Sequence, residues 1–380
     1  MKFSEYITES KEGKNLHLEH IEDEVLNRGV AGTRDAINFL LSLRDMLAGH
    51  AESRVNVTTK WDGAPAVADI DENHKGEGLN AKLKVALRYL PKLGIKGILQ
   101  GDMMFAKGDI KEETIDGQDY ITFQPNTIVY AVPADSKLAD MMLAAQIGIV
   151  FHTSYTGKSM DDMKASFNID INNLTRTKDV WFRDAYFVDA SGTATFTEDE
   201  TKQINRVLSD AGSRFRSISS MVLNRIASSD ILQVQIKTFN NTKVRAGEPI
   251  KNTAQHTREL IKWIEDKHNK EILAAKKEET KKKRIAEKNE MMRFFRSYAG
   301  ELQKIFDIQN DIVLAKNMII KKLQQLRQVT GTFLKTDNGF KVTNPEGFVA
   351  VDKLKGNAVK LVDRLEFSLA NFSAAKAWSK

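Results

Sequence analysis

Cysteine is absent from this 380-residue chain. That excludes a disulfide scaffold, a thiolate zinc site and a cysteine nucleophile, and it fits a reducing compartment. Long apolar runs are missing as well. Stretches such as Ala144 to Phe151 fall far short of the roughly 20 residues a membrane-crossing helix needs, so no membrane partner is expected. Met1 to Lys14 alternates charged with polar residues and lacks the apolar stretch of an export signal, so a cytoplasmic location is the expectation. No G-x-G-x-x-G follows a strand pattern, which removes the usual case for a dinucleotide fold. Gly157-Lys158-Ser159 looks like the end of a phosphate-cradling loop, but His152 stands where that loop needs its upstream glycine. His17 and His20 can share a helix face near Glu19 and Asp23. No third ligand accompanies them, and a surface pair is commoner than zinc.

What the chain does contain is ordinary globular material, 41% hydrophobic and 28% charged, in a length that suggests about two or three domains. The net charge of +6 is modest, but its distribution is not even. Between Lys267 and Arg296, eleven Lys/Arg stand against five Asp/Glu, an excess as large as that of the whole chain. A basic stretch beside a neutral body fits a polyanion partner, while a solvated charged helix is the plainer alternative.

The texture changes along the chain. Leu18 to Leu47 reads mainly as helix, interrupted at Gly32. Short apolar or alternating runs then predict strands over Val55–Thr59, Ala64–Ile70, Gly97–Phe105, Tyr120–Phe123, Thr127–Val132, Gly148–Ser154 and Ala185–Val188. Helices are expected at Asn80–Leu90 and around Leu138–Gln146 among them. Thr197 and Glu200 have capping-box spacing, and helical patterns continue to Leu326 with a looser stretch near Asn240–Pro249. Strands return at Phe340–Thr343, Gly347–Val351 and Ala358–Val362. The expected architecture is α/β (α+β) in four segments. They are a helical segment, 1–53; an antiparallel-rich core, 54–196; a helical insertion, 197–330; and the second part of the core, 331–380.

Lys60-Trp61-Asp62-Gly63 follows a strand directly, an arrangement that can hold a lysine amine toward a pocket, where burial or neighbouring cations make it a nucleophile. Downstream, Gly101-Asp102 puts a carboxylate on a strand and Tyr130 an aromatic on another. After the helical insertion, Glu346-Gly347-Phe348-Val349 gives a second carboxylate and Val359-Lys360-Leu361 a second lysine. Each side chain alone has a plain structural reading, as turn carboxylate, half-buried strand aromatic or edge-strand lysine.

The order lysine, acid, aromatic, acid, lysine resembles the covalent nucleotidyltransferases, the superfamily of ATP-dependent DNA ligases, RNA ligases and messenger-RNA capping enzymes. The resemblance covers Arg54–Val132 and Lys341–Arg364, and the chain also looks like a tailed-phage ligase. It implies a nucleotidyltransferase core and an ATP-dependent DNA ligase joining 5′-phosphate to 3′-hydroxyl ends through lysyl-AMP. An RNA ligase and a non-enzymatic nucleic-acid-binding protein are the alternatives. By the resemblance, Lys60 is the nucleophile and Thr59 its neighbour at the nucleotide. Tyr130 packs on adenine, Asp102 and Glu346 serve the ribose or Mg2+, and Lys360 contacts the α-phosphate. Nucleic acid is the implied partner, with ATP and Mg2+ as cofactors.

Three departures accompany it. The phosphate-handling strand motif usual after K-x-D-G is missing, leaving Lys75, Lys82 and Lys84 as the nearby cations. Arg364 stands where many relatives have a second terminal lysine. Only Leu365 to Lys380 follows, too little for the β-barrel of many DNA ligases. The insertion is then expected to grip nucleic acid through Lys281, Lys282, Lys283 and Arg284, with Phe294-Phe295 buried in a helix interface.

Overall fold

The computed structural model describes residues 20–48, 55–61, 64–67, 77–156, 164–166, 169–185, 195–325, 330–336, 339–343, 347–352 and 358–365. The chain is mixed α/β, and among the described residues its sheets are antiparallel apart from one strand pair. A turn of 3-10 helix, Ile21–Asp23, leads into α1 (Glu24–Asn27) and α2 (Gly29–Leu47). The helix breaks at Arg28/Gly29, where Gly29 has φ 56°, and not at Gly32 as expected. Gly32 lies inside α2, and a Cβ there would sit 2.0 Å from the Glu24 carbonyl oxygen. Its lack of a side chain lets α1 fold back onto α2.

Among the described residues, three sheets are built from thirteen strands. β1 (Val55–Lys60), β12 (Gly347–Asp352) and β13 (Ala358–Leu361) form the first, in the order β1-β12-β13. The second runs β11-β10-β6-β5-β4, comprising β11 (Gly339–Val342), β10 (Gly331–Thr336), β6 (Ile128–Pro133), β5 (Gln118–Phe123) and β4 (Lys111–Ile115). The third has β2 (Ala64–Val67), β3 (Ile98–Ala106), β7 (Ile147–Thr156) and β8 (Lys164–Ser166), with β9 (Val180–Asp184) parallel to β7. β9 precedes the strand expected at Ala185–Val188, most of which lies outside the described residues. β4, a charged strand at the sheet edge, and β10, a short interior strand containing two threonines, escaped the sequence reading because neither shows an apolar alternation.

Period-two alternation divides the strand side chains between cores. On β6, Ile128, Tyr130 and Val132 face a core shared by the second and third sheets, while Val129 and Ala131 face the opposite side with Ile115 and Phe333. Two helices cover these sheets: α3 (Glu77–Tyr89) packs on the outer face of the third, and α4 (Lys137–Ala144) closes the shared core.

The helical body contains α5 (Glu198–Ser217), α6 (Ser220–Ala227), α7 (Asp230–Arg245), α8 (Thr253–Leu273), α9 (Glu278–Ser297) and α10 (Ala299–Leu323). The capping box forms as expected: the Glu200 amide donates to Thr197 Oγ1 at 3.2 Å, and the Thr197 amide donates to Glu200 Oε2 at 2.7 Å. The stretch expected to be looser, from Asn240, is helical as far as Arg245, as the last turns of α7. Val57, Phe348, Ala350 and Leu361 share the core of this body with α2 and α10. The first sheet thus rests on the helices and is not separated from them.

A charged cluster is buried at that junction. Lys316, on α10, donates to both oxygens of Glu22 at 2.9 Å, and the two side chains are 1% and 4% exposed. Arg364 pairs with Asp23 at 3.0 Å and donates to Asn241 on α7 at 2.9 Å. Arg364, which stands where many relatives of the resembled family have a second terminal lysine, ties the last strand to the N-terminal helices.

Candidate functional site around Lys60

β1 and β12 pair so that Lys60 lies opposite Gly347 and Thr59 opposite Phe348, while Val349 on β12 lies opposite Lys360 on β13. Side chains two residues apart, or directly opposed, share a sheet face. Lys60, Val349 and Lys360 therefore occupy one face, and Val57, Phe348 and Leu361 occupy the face turned to the helices. The backbones at Lys60 and Lys360 stand two strand spacings apart, roughly 10 Å, with an offset of about 7 Å along the strands. Two long lysine side chains can converge on one ligand over that span. His20 makes an isolated parallel bridge to Lys360, extending the sheet.

Gly347 explains its own place in the E-G-F-V sequence. Its φ is 152°, and a Cβ would lie 2.4 Å from the Leu361 carbonyl oxygen, so β12 and β13 can approach only over a glycine. Gly347→Ala is expected to cost ~1–3 kcal/mol through this overlap, read as a lowered urea midpoint. An unchanged midpoint would show that the strands tolerate the methyl group.

The chain leaves β1 at Trp61, which is buried and packs on Tyr130 with ring centroids 5.2 Å apart. Trp61 Nε1 is buried with no hydrogen-bond partner among the described residues. Tyr130 also stacks on Phe123 at 5.6 Å and is only 2% exposed. Expected as an adenine platform, Tyr130 is a core ring whose packing supports Trp61.

β2 begins at Ala64 and pairs with β3, setting Pro65 opposite Asp102. Asp102 in turn lies opposite Val150 on β7, a member of the same core as Trp61. Beyond that point the register slips: Gly101 is opposite Phe151, but Gln100 is opposite Thr153. His152 is the extra residue of this β-bulge. Bulges re-aim side chains, and here the His152 Nε2 lies 3.9 Å from Asp102 Oδ2. Its Nδ1 lies 2.7 Å from Thr153 Oγ1. Burial, together with the positive charge of Lys60, pulls the imidazole pKa down to about 4, so His152 is neutral at pH 7. Sequence reading missed it because a bulge leaves no mark in residue spacing.

The other expected residues are distributed as follows. Glu346 and Lys75 lie outside the described residues, as do Asp62, Gly63 and His17. Lys82 is paired with Asp109 at 2.9 Å, an assignment that removes it from the phosphate candidates, and Lys84 is exposed on α3. In the basic run, Lys282 and Lys283 are exposed, while Lys281 approaches Glu278 at 3.7 Å. Arg284 donates to the Glu271 carbonyl at the end of α8. It satisfies an orphan helix-terminal acceptor and so corrects the expectation of a phosphate contact. Phe294 and Phe295 are buried, as expected.

Among the described residues no group of three His, Cys, Asp or Glu could hold a metal ion. Asp102 gives the site a hard oxygen donor, which suits magnesium, an ion commonly held by one or two carboxylates plus substrate phosphates. No helix among the described residues is long and apolar enough to cross a membrane.

No curated protein and no solved structure matches the chain. A family model described as a family of unknown function (DUF6267) matches residues 15–68 and 67–376. Covering nearly the whole sequence, that match places the chain in the DUF6267 family.

Proposed function

We propose that this protein is an ATP-dependent polynucleotide ligase of the covalent nucleotidyltransferase type, acting on DNA. The observation that carries the reading is the first sheet. The K-x-D-G strand, the E-G-F-V strand and the final lysine strand come from opposite ends of the sequence, yet pair side by side with Lys60 and Lys360 on one face. Asp102 lies opposite Pro65 on β2, the strand that follows β1 in the sequence. Three elements with separate ordinary explanations have no structural need to meet around one lysine.

In this reading the Lys60 amine attacks the α-phosphorus of ATP and pyrophosphate leaves. The resulting AMP passes to a 5′-phosphate, and a 3′-hydroxyl then displaces it. Lys360 faces the α-phosphate from the far edge of the sheet, and Trp61, backed by Tyr130, forms the apolar floor. Asp102, with Glu346, would hold magnesium, which when bound neutralises charge on the phosphoryl oxygens and the pyrophosphate. The test is retention of radioactivity on the denatured protein after incubation with magnesium and α-labelled ATP. Absence of label at any ATP concentration would end the reading.

The helical body is the candidate grip on nucleic acid, through Lys281, Lys282 and Lys283 on α9. Replacing these three with Gln is expected to lower the salt dependence of duplex binding by about 0.9 in log–log slope for each phosphate that is no longer neutralised. Self-labelling with AMP should survive, since it needs no nucleic acid. An unchanged slope would return the run to a solvated helix. Arg284→Gln serves as the contrast, expected to weaken the α8–α9 packing rather than the slope.

A further inference from the structure

The bulged histidine is the feature that the ligase reading leaves unused. His152 does not belong to the lysine–acid–aromatic–acid–lysine series, yet it is the residue that β7 inserts out of register beside Asp102. A strand interior gains nothing from such an insertion: it breaks the ladder locally and leaves one residue unpaired. Here it places the imidazole beside Asp102, with Nε2 3.9 Å from Oδ2, within electrostatic reach of Lys60.

The ring's hydrogen bonding follows from its neighbours. A carboxylate oxygen 3.9 Å from Nε2 favours the tautomer with its proton on Nε2, and Nδ1 then accepts from the Thr153 hydroxyl at 2.7 Å. Thr153 is 1% exposed, so that bond is shielded and holds the ring plane. The outcome is a fixed N–H donor that is not satisfied by Asp102, because 3.9 Å exceeds hydrogen-bond length.

We propose that His152 donates this Nε2 proton in a hydrogen bond to an oxygen of the phosphoryl group being transferred to Lys60. The inference rests on the ligase reading and adds a residue to it. A fixed N–H donor aimed where negative charge builds stabilises the transition state without competing with Lys60 for the phosphorus.

The test compares His152→Ala, His152→Asn and His152→Gln in the full-length protein, by single-turnover labelling with α-labelled ATP and magnesium. Gln can place its amide nitrogen near the position of the histidine Nε2, whereas the shorter Asn cannot. Ala and Asn are expected to slow labelling at saturating ATP by roughly 10²-fold, the usual effect of losing one such donor. Half-saturating ATP should change by less than about threefold, and Gln should recover most of the rate. A purely structural histidine would give losses that follow the thermal midpoint and no selective rescue by Gln, and either pattern overturns the proposal. Equal labelling of wild type and His152→Ala overturns the histidine role alone. A wild-type protein that takes no label overturns the ligase reading and this inference together.

Discussion

Lys60→Ala is expected to abolish covalent AMP labelling while leaving the fold intact. The wild-type chain should keep label from α-labelled ATP through denaturing electrophoresis, because a lysyl phosphoramide survives unfolding. Lys60 ends β1, where its backbone pairs with Gly347 and the strand is anchored by the buried Val57. Truncating the half-buried side chain should therefore cost about 1 kcal/mol or less. Lys60→Arg should not rescue labelling, since a guanidinium remains protonated and cannot attack phosphorus. Full labelling of the alanine variant would remove Lys60 from the chemistry and leave its meeting with Lys360 without a catalytic meaning.

Lys316→Met is expected to destabilise the protein by about 3–5 kcal/mol, because it leaves the Glu22 carboxylate buried without its two 2.9 Å hydrogen bonds and with only the longer Arg364 contact at 3.8 Å. The double variant Glu22→Leu/Lys316→Met should recover most of that loss, since an apolar pair of similar volume carries no desolvation cost. A urea double-mutant cycle separates the two results. A single-variant cost under about 1 kcal/mol would mean that water or Arg364 already satisfies Glu22.

The acid dependence follows from the same cluster. Burial opposes ionisation of Glu22, but Lys316, His20 and Arg364 outweigh it and hold the pKa down at about 2, against an ordinary 4.5. A folded-state pKa below the unfolded one contributes stability above pH 4.5, and that contribution is lost as pH falls from there toward 2. His256 adds an earlier loss. Burial and the charge of Lys243 lower its pKa from 6.5 to about 4, so the unfolded chain takes up a proton below pH 6.5 that the folded chain refuses. Unfolding midpoints should therefore begin to drop below pH 6.5 and fall further below pH 4.5, and a flat profile over that range would contradict the burial of both groups.

Much of the local structure was legible because local rules govern it. Thr197 and Glu200 announced α5 through a bond pattern contained within four residues. The alternation of Ile128 to Val132 gave β6 because one of its faces meets each core. Pairings between distant segments were not legible in that way. No local signal says that β1 lies beside β12, that the register slips between Gln100 and Gly101 to create the His152 bulge, or that Arg364 seeks Asp23. The glycine at 347 is an instructive middle case: its presence was readable, but its reason, the Leu361 carbonyl, belongs to another strand.

By itself the sequence determined the mixed α/β class, the helical block after Thr197, the absence of thiol chemistry and the set of residues worth testing. These follow from composition, periodicity and caps, all of which act over a few residues. Only the tertiary structure decided that Lys60 and Lys360 share a sheet face, that Tyr130 is a buried support, and that Arg284 and Arg364 are structural ties. It also decided that the helices and the site sheet have one core. Those outcomes depend on which apolar faces bury each other and which charges must be paired once water is excluded, and both are properties of contacts between segments far apart in the chain.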